Sequence, residues 1–319
     1  MEQQLAHYSK LALLYCTQLD KLLILALLLT LAGLSFLAVA GRDLARRRGR
    51  SAYDKCARQL GHLGAWLGAA AIIAGGVALG MQYQSLLALD MQNIAARENY
   101  LLVLLAGGWL CVVFFTVLNC LCTGLWQSPR TAPRLDQLLG FLATLAAAAA
   151  IYAALLYLHA RTAALSASNP ADLRALLMPD SEAFWAAVSY APFAALALAS
   201  GYGALWLLLR RVADGYGRDH YNLVIPWCAM WARNGWLLLW LFVAGRAGWR
   251  IFQLYEATGG KLDWIRFVPD LAGLAVFLIP GLLWLGLSRS ATPLRAKIAM
   301  SLAPLWATGC LFMLDMGLH

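Results

Sequence analysis

Histidine is the side chain that most readily ligates haem or relays protons near neutral pH, and this 319-residue chain has five. His62 and His220 fall at the cytoplasmic ends of apolar runs, His7 and His159 at the outer side, and His319 is the last residue. His62 with His220, and His7 with His159, are therefore the two candidate haem-ligand pairs. No apolar run has a histidine in its interior, where a haem site between facing helices draws its ligands, so haem is disfavoured. A second set is charged. Arg246 and Arg250 lie four apart, on one face of a helix, and Asp315, Asp270 and Glu98 fall at outer ends of other runs. A charge left unpaired in hydrocarbon costs on the order of several kcal/mol, so Arg246 needs a carboxylate or water. The set reads either as an Arg246–Asp315 or Arg246–Asp270 ion pair, or as the wall of a quinone-headgroup or proton-access site. On the inner side Arg233 and Asn234 need a partner, with Asp54, Asp214 and Asp219 the nearest acids. The seven cysteines form no CxxC and no Cys/His cluster, so no metal site is read.

The elements that must position these groups are membrane spans. Hydrophobic residues make up 62% of the chain and charged residues 13%, too little polar surface for a water-soluble globule. Leu22 to Ala40 reads LLILALLLTLAGLSFLAVA without a charge, and Leu63 to Met81 is again uncharged. Between them lies a basic turn with seven Lys or Arg from Arg42 to Arg58. The first run is too long for a signal-peptide core and is followed by arginines, so it is expected to remain as the first span. Further spans are expected near 100–121, 137–159, 183–209, 226–251, 267–287 and 298–314, eight in all. Gly64, Gly68, Gly76 and Gly80 pair at four-residue spacing for close helix contact. Pro192 is expected to bend the fifth span, and the tryptophans of the sixth to anchor it at the membrane interfaces.

Charge orients the spans. With the first basic turn inside, the cytoplasmic connections and helix ends carry sixteen Lys or Arg and five Asp or Glu, and the outer ones nine and eleven. Both termini then face outward. The basic residues of this +9 chain sit beside spans, which argues against nucleic acid as a partner. The expected fold is an all-α integral membrane protein of about eight transmembrane helices, arranged as two four-helix bundles. Residues 1–21 form an outer-side interfacial helix, 22–159 the first bundle, 160–182 an outer connection and 183–319 the second bundle. Both halves open on helix, basic loop, helix, a loose internal repeat.

The stretches YSKLALLYCTQL, LTLAGLSFLAVA and SAYDKCARQLGHLGAWLGAAAIIAGGVALGMQYQ, with LRALLMPDSEAFWAAVSYAPFAALALASGYGALWLLLRR, carry a resemblance. Over residues 8–211 the chain resembles, as a degenerate relative, the large quinol-oxidising subunit of cytochrome bd oxidases. The resemblance implies an outward N-terminus and a respiratory setting. The family's haem ligands do not carry over. Tyr15, Cys16, Gln18 and Asp20 stand near its first ligating histidine, Asp180, Ser181 and Glu182 near its second, and 267–287 holds no methionine for its third. Of the family's paired glutamates only Glu98 corresponds, and 253–266 is too short for its quinol-binding loop.

These readings lead to one functional expectation: a haem-poor or haem-free, multi-pass subunit of an electron-transfer complex in a bacterial inner membrane. It would anchor other membrane or periplasmic electron-transfer subunits and line a quinone site, without catalysis of its own. The alternative is a secondary transporter of a small solute or ion.

Overall fold

A computed structural model describes the backbone of residues 2–87, 95–125, 133–163, 178–257 and 268–317. Within these it describes the side chains of 23–84, 99–124, 135–161, 178–253, 255–256, 268 and 271–311. Regular structure among the described residues is helical throughout. The elements are α1 (Glu2–Arg48), α2 (Ser51–Leu87), α3 (Ala95–Leu125), α4 (Pro133–Ala163), α5 (Glu182–Asp214), α6 (Arg218–Ala257), α7 (Val268–Arg289) and α8 (Lys297–Gly317), with a 3-10 turn at Pro293–Arg295. Six of the eight (α1 to α5 and α7) are long and apolar enough, by length and composition, to cross a bilayer. The chain is an all-α, multi-pass membrane protein.

Helix α6 falls outside that six for a legible reason. Its two uncharged stretches, 220–232 and 234–245, run to only thirteen and twelve residues and are split by Arg233. It is nonetheless deeply packed: Cys228, Ala232, Trp236 and Leu239 are fully buried. Protein neighbours on α5 and α7 supply the apolar surroundings that its own sequence lacks. For α8 the described side chains end at Leu311.

The helices outrun the expected spans at their inner ends. The basic turn after the first span is almost entirely helical, with α1 running to Arg48 and α2 starting at Ser51. Arginine and alanine are strong helix formers, and the i,i+4 pairs Asp43–Arg47 at 2.7 Å and Asp54–Arg58 at 3.0 Å add support. The reversal itself is left to Gly49, at φ +62°, a left-handed conformation that ends a helix without a Cβ penalty. At its other end α1 is continuous through the segment expected as an interfacial helix. Its 47 residues make roughly 70 Å at about 1.5 Å per residue.

Helix α1 packs against α2, α4 and α5, α2 and α4 against α3, α6 against α5 and α7, and α8 against α7 and α5. One core runs through the molecule, from Leu28 on α1 and Phe115 on α3 through Ala147 on α4 and Ala194 on α5 to Trp236, Phe277 and Ala303. The α1–α5 contact is close because both faces are small. A Cβ on Gly33 would collide with the Ala195 carbonyl and the Ala199 methyl. On α2, Gly64 and Gly68 face Asn119 and Thr116 of α3, whereas Gly80 faces open space, so only the first of the two expected pairs makes a close contact.

Between apolar helices in lipid there is little hydrophobic drive, so close packing and cross-helix hydrogen bonds carry specificity, each bond contributing about 0.6 kcal/mol on average. Here the donors are largely indoles. Trp109 Nε1 donates to the Ile72 carbonyl at 2.9 Å, Trp236 to Phe277 at 2.6 Å and Trp240 to Leu274 at 3.0 Å. Trp236 and Trp240 thus bolt α6 to α7 and are not interface anchors; Trp249, 59% exposed, keeps the expected outward position. Prolines lie inside α5, α6, α7 and α8. Pro280 cannot bond the Val276 carbonyl one turn back, and Cys310 Sγ from α8 lies 4.0 Å from that oxygen.

Candidate functional site

The polar residues gather at the two ends of the helices. At the end that carries the basic α1–α2 turn, Asp136 in the first turn of α4 is 3% exposed and lies against the guanidinium of Arg42, with Arg46 Nη2 at 3.3 Å. Arg42 Nε reaches Asp54 at 3.3 Å, and Asp54 also holds Arg58. The helix dipole favours a carboxylate in a first turn, and two arginines replace the solvation that burial removes. This ladder joins α1, α2 and α4. Asp136 stood out in no sequence pattern, because nothing in its surroundings in the chain tells that α1's arginines meet it.

A second assembly at this end centres on Gln59 of α2, which is buried at 4% exposure. Its Nε2 donates to Asp214 Oδ2 at 2.6 Å and lies 3.4 Å from the Tyr221 hydroxyl. Its Oε1 lies 3.1 Å from His220 Nε2. A carboxamide oxygen only accepts, so the His220 proton sits on Nε2. Burial, with Lys55 nearby, pushes the His220 pKa down to about 4, and Asp214 offsets this only in part. Burial alone would raise Asp214, but hydrogen bonds from Gln59 and Arg210, with the Arg210 and His62 charges, bring it below its ordinary value. Burial raises Tyr221. Arg210 Nη2 reaches Asp214 at 2.8 Å, and Trp206 Nε1 donates to the Gln59 carbonyl at 3.1 Å. A polar cavity of about 210 Å³ opens beside this node, bordered by Arg58, His62, Arg210, Asp214 and Tyr216.

At the opposite end, Arg246 Nη2 lies 3.5 Å from Glu182 Oε1, in the first turn of α5. Ser181 caps that helix, accepting from the Phe184 amide at 3.3 Å. Arg246 Nη1 is buried without a hydrogen-bond partner among the described residues. Arg250 lies one turn on and is exposed. The side chains of Asp270, Asp315 and Glu98 lie outside the described residues. The partner that the structure gives Arg246 is Glu182, which sequence reasoning had placed only at the outer start of the fifth span. The shared outer side was the available signal.

The histidines divide the same way. His220 is committed to Gln59, with its ring between those of Tyr216 and Tyr221 at 5.1 and 4.8 Å. His62 is exposed and borders the polar cavity. His159 packs 5.7 Å from the Phe184 ring, and the His7 side chain lies outside the described residues. Arg233 is not paired with the acids expected for it. Asp54 and Asp214 are held by other arginines, and Arg233 instead donates from Nε and Nη2 to its neighbour Asn234 Oδ1, at 3.0 and 2.8 Å. Among the described residues no group of three His, Cys, Asp or Glu could hold a metal ion. No protein-family model, no curated protein and no solved structure matches this chain.

Proposed function

We propose that this chain is a haem-poor or haem-free membrane subunit of an electron-transfer complex in a bacterial inner membrane. In this reading it crosses the bilayer eight times in two four-helix halves, with both termini outside. It anchors partner subunits and lines a quinone site at the outer end of α6. The observation that carries the reading is Arg246. Its Nη2 is directed to Glu182, while Nη1 is buried and has no partner among the described residues. A guanidinium N–H in that setting is a ready donor to a quinone carbonyl, and satisfying it removes the cost of an orphaned buried donor.

The test begins with extraction in mild detergent. Redox subunits should co-purify in fixed stoichiometry, and oxidised and dithionite-reduced spectra should assign any haem bands to them. In that complex, Arg246→Leu should weaken binding of a quinone analogue by roughly tenfold, the loss of one charge-assisted hydrogen bond, with assembly intact. Unchanged affinity in an assembled complex overturns the quinone site. A chain that purifies alone and moves a solute across liposomes overturns the subunit reading in favour of transport.

A further inference from the structure

A cavity of about 610 Å³ lies at the inner end between α1, α6 and the end of α7. Its apolar wall includes Trp227 and Trp231. Both indoles are seated edge-on against other helices, Trp231 on Phe36 at 5.9 Å and Trp227 on Tyr53 at 5.8 Å. Its rim carries Arg47, Arg48, Arg233 and Arg289, with Asp43 the one carboxylate. Asp43 is taken by Arg47 at 2.7 Å. Among the described residues no carboxylate pairs with Arg48, Arg233 or Arg289. Arg233 is half-buried and reaches only a neutral carboxamide.

We propose that this groove binds an anionic phospholipid of the inner leaflet, with its phosphodiester held by Arg233 and its rim charge answered by Arg48 and Arg289. Charge complementarity carries the assignment. Three guanidinium groups with no carboxylate partner among the described residues border one cavity beside an aromatic wall. A phosphodiester is the anion that accepts several such bonds, and acyl chains match the wall below it. Basic recesses between helices on the cytoplasmic side have the electrostatics for such headgroups. The inward placement of this end rests on the excess of Lys and Arg there. The outer quinone reading plays no part.

The experiment uses the full chain, delipidated in a zwitterionic detergent, with native mass spectrometry during titration. The probes are phosphatidylglycerol, phosphatidylcholine with the same acyl chains, and inorganic phosphate. Phosphatidylglycerol should bind roughly tenfold more tightly than phosphatidylcholine, and Arg233→Gln with Arg289→Gln should remove that preference. Arg161→Gln, at the far end of α4, should keep it. Arg233→Lys keeps the charge and loses the planar fork of donors. It should weaken phosphatidylglycerol about fivefold, and it serves if the glutamine variants fail to fold. Equal binding of the two lipids by the natural chain overturns the proposal, as does an unchanged preference in folded variants. Inorganic phosphate binding as tightly as phosphatidylglycerol, with the same dependence on Arg233, overturns the lipid as its source.

Discussion

His220 shows how burial sets charge at the helix ends beside the basic turn. With a folded pKa of about 4 against an ordinary 6.5, it enters the fold neutral, and only the unfolded chain takes up a proton between those values. Its contribution to stability is therefore complete above pH 6.5 and is lost as pH falls toward 4. Asp214, also lowered, acts in the same direction at still lower pH. The melting temperature of the detergent-solubilised protein should fall on acidification through this window. His220→Gln should flatten that part of the curve. An equally steep fall in the variant would show that other groups are responsible. His220 was legible as a polar residue at a cytoplasmic helix end. Its partner Gln59, 161 positions away, was not, since hydrogen bonds between distant residues leave no periodic trace.

Among the elements, α1 and α5 are held together by smallness. Alanine and glycine patterns advertise close approach, but not which helix approaches. Gly33, within the first span, faces the α5 backbone, while the more conspicuous Gly80 faces nothing. Gly33→Leu should destabilise by about 1–3 kcal/mol through overpacking, read as a lower melting temperature, whereas Gly80→Leu should change it little. Equal effects would contradict the α1–α5 seam. Helix α6 gives the complementary lesson. Its arginines lower its hydropathy, so its standing as an element rests on the buried Trp236 and its bond to α7. The apolar run near 226–251 announced a span, yet only packing shows that Trp236 and Trp240 are internal fasteners.

At the scale of the whole molecule, the arrangement of charge predicts orientation. Exposed positions at the inner turns, Ser51→Cys and Ala291→Cys, should be protected from an impermeant maleimide in intact cells and labelled after permeabilisation. Asp180→Cys, ahead of α5, should label in intact cells, with the natural chain as background. The opposite pattern would invert the topology and move the basic groove to the outer leaflet. Composition and hydropathy by themselves determined that this chain lives in a bilayer as helices, because a span must satisfy its own backbone there and announces itself in some twenty apolar residues. Charge asymmetry supplied an orientation for the same local reason. Tertiary structure decided which polar groups meet. Asp136 with Arg42, Gln59 with His220, Arg246 with Glu182, and the arginines around Trp231 each depend on how helices far apart in sequence rotate and close upon one another. That is settled by side-chain shape at the seams, which no short stretch of sequence contains.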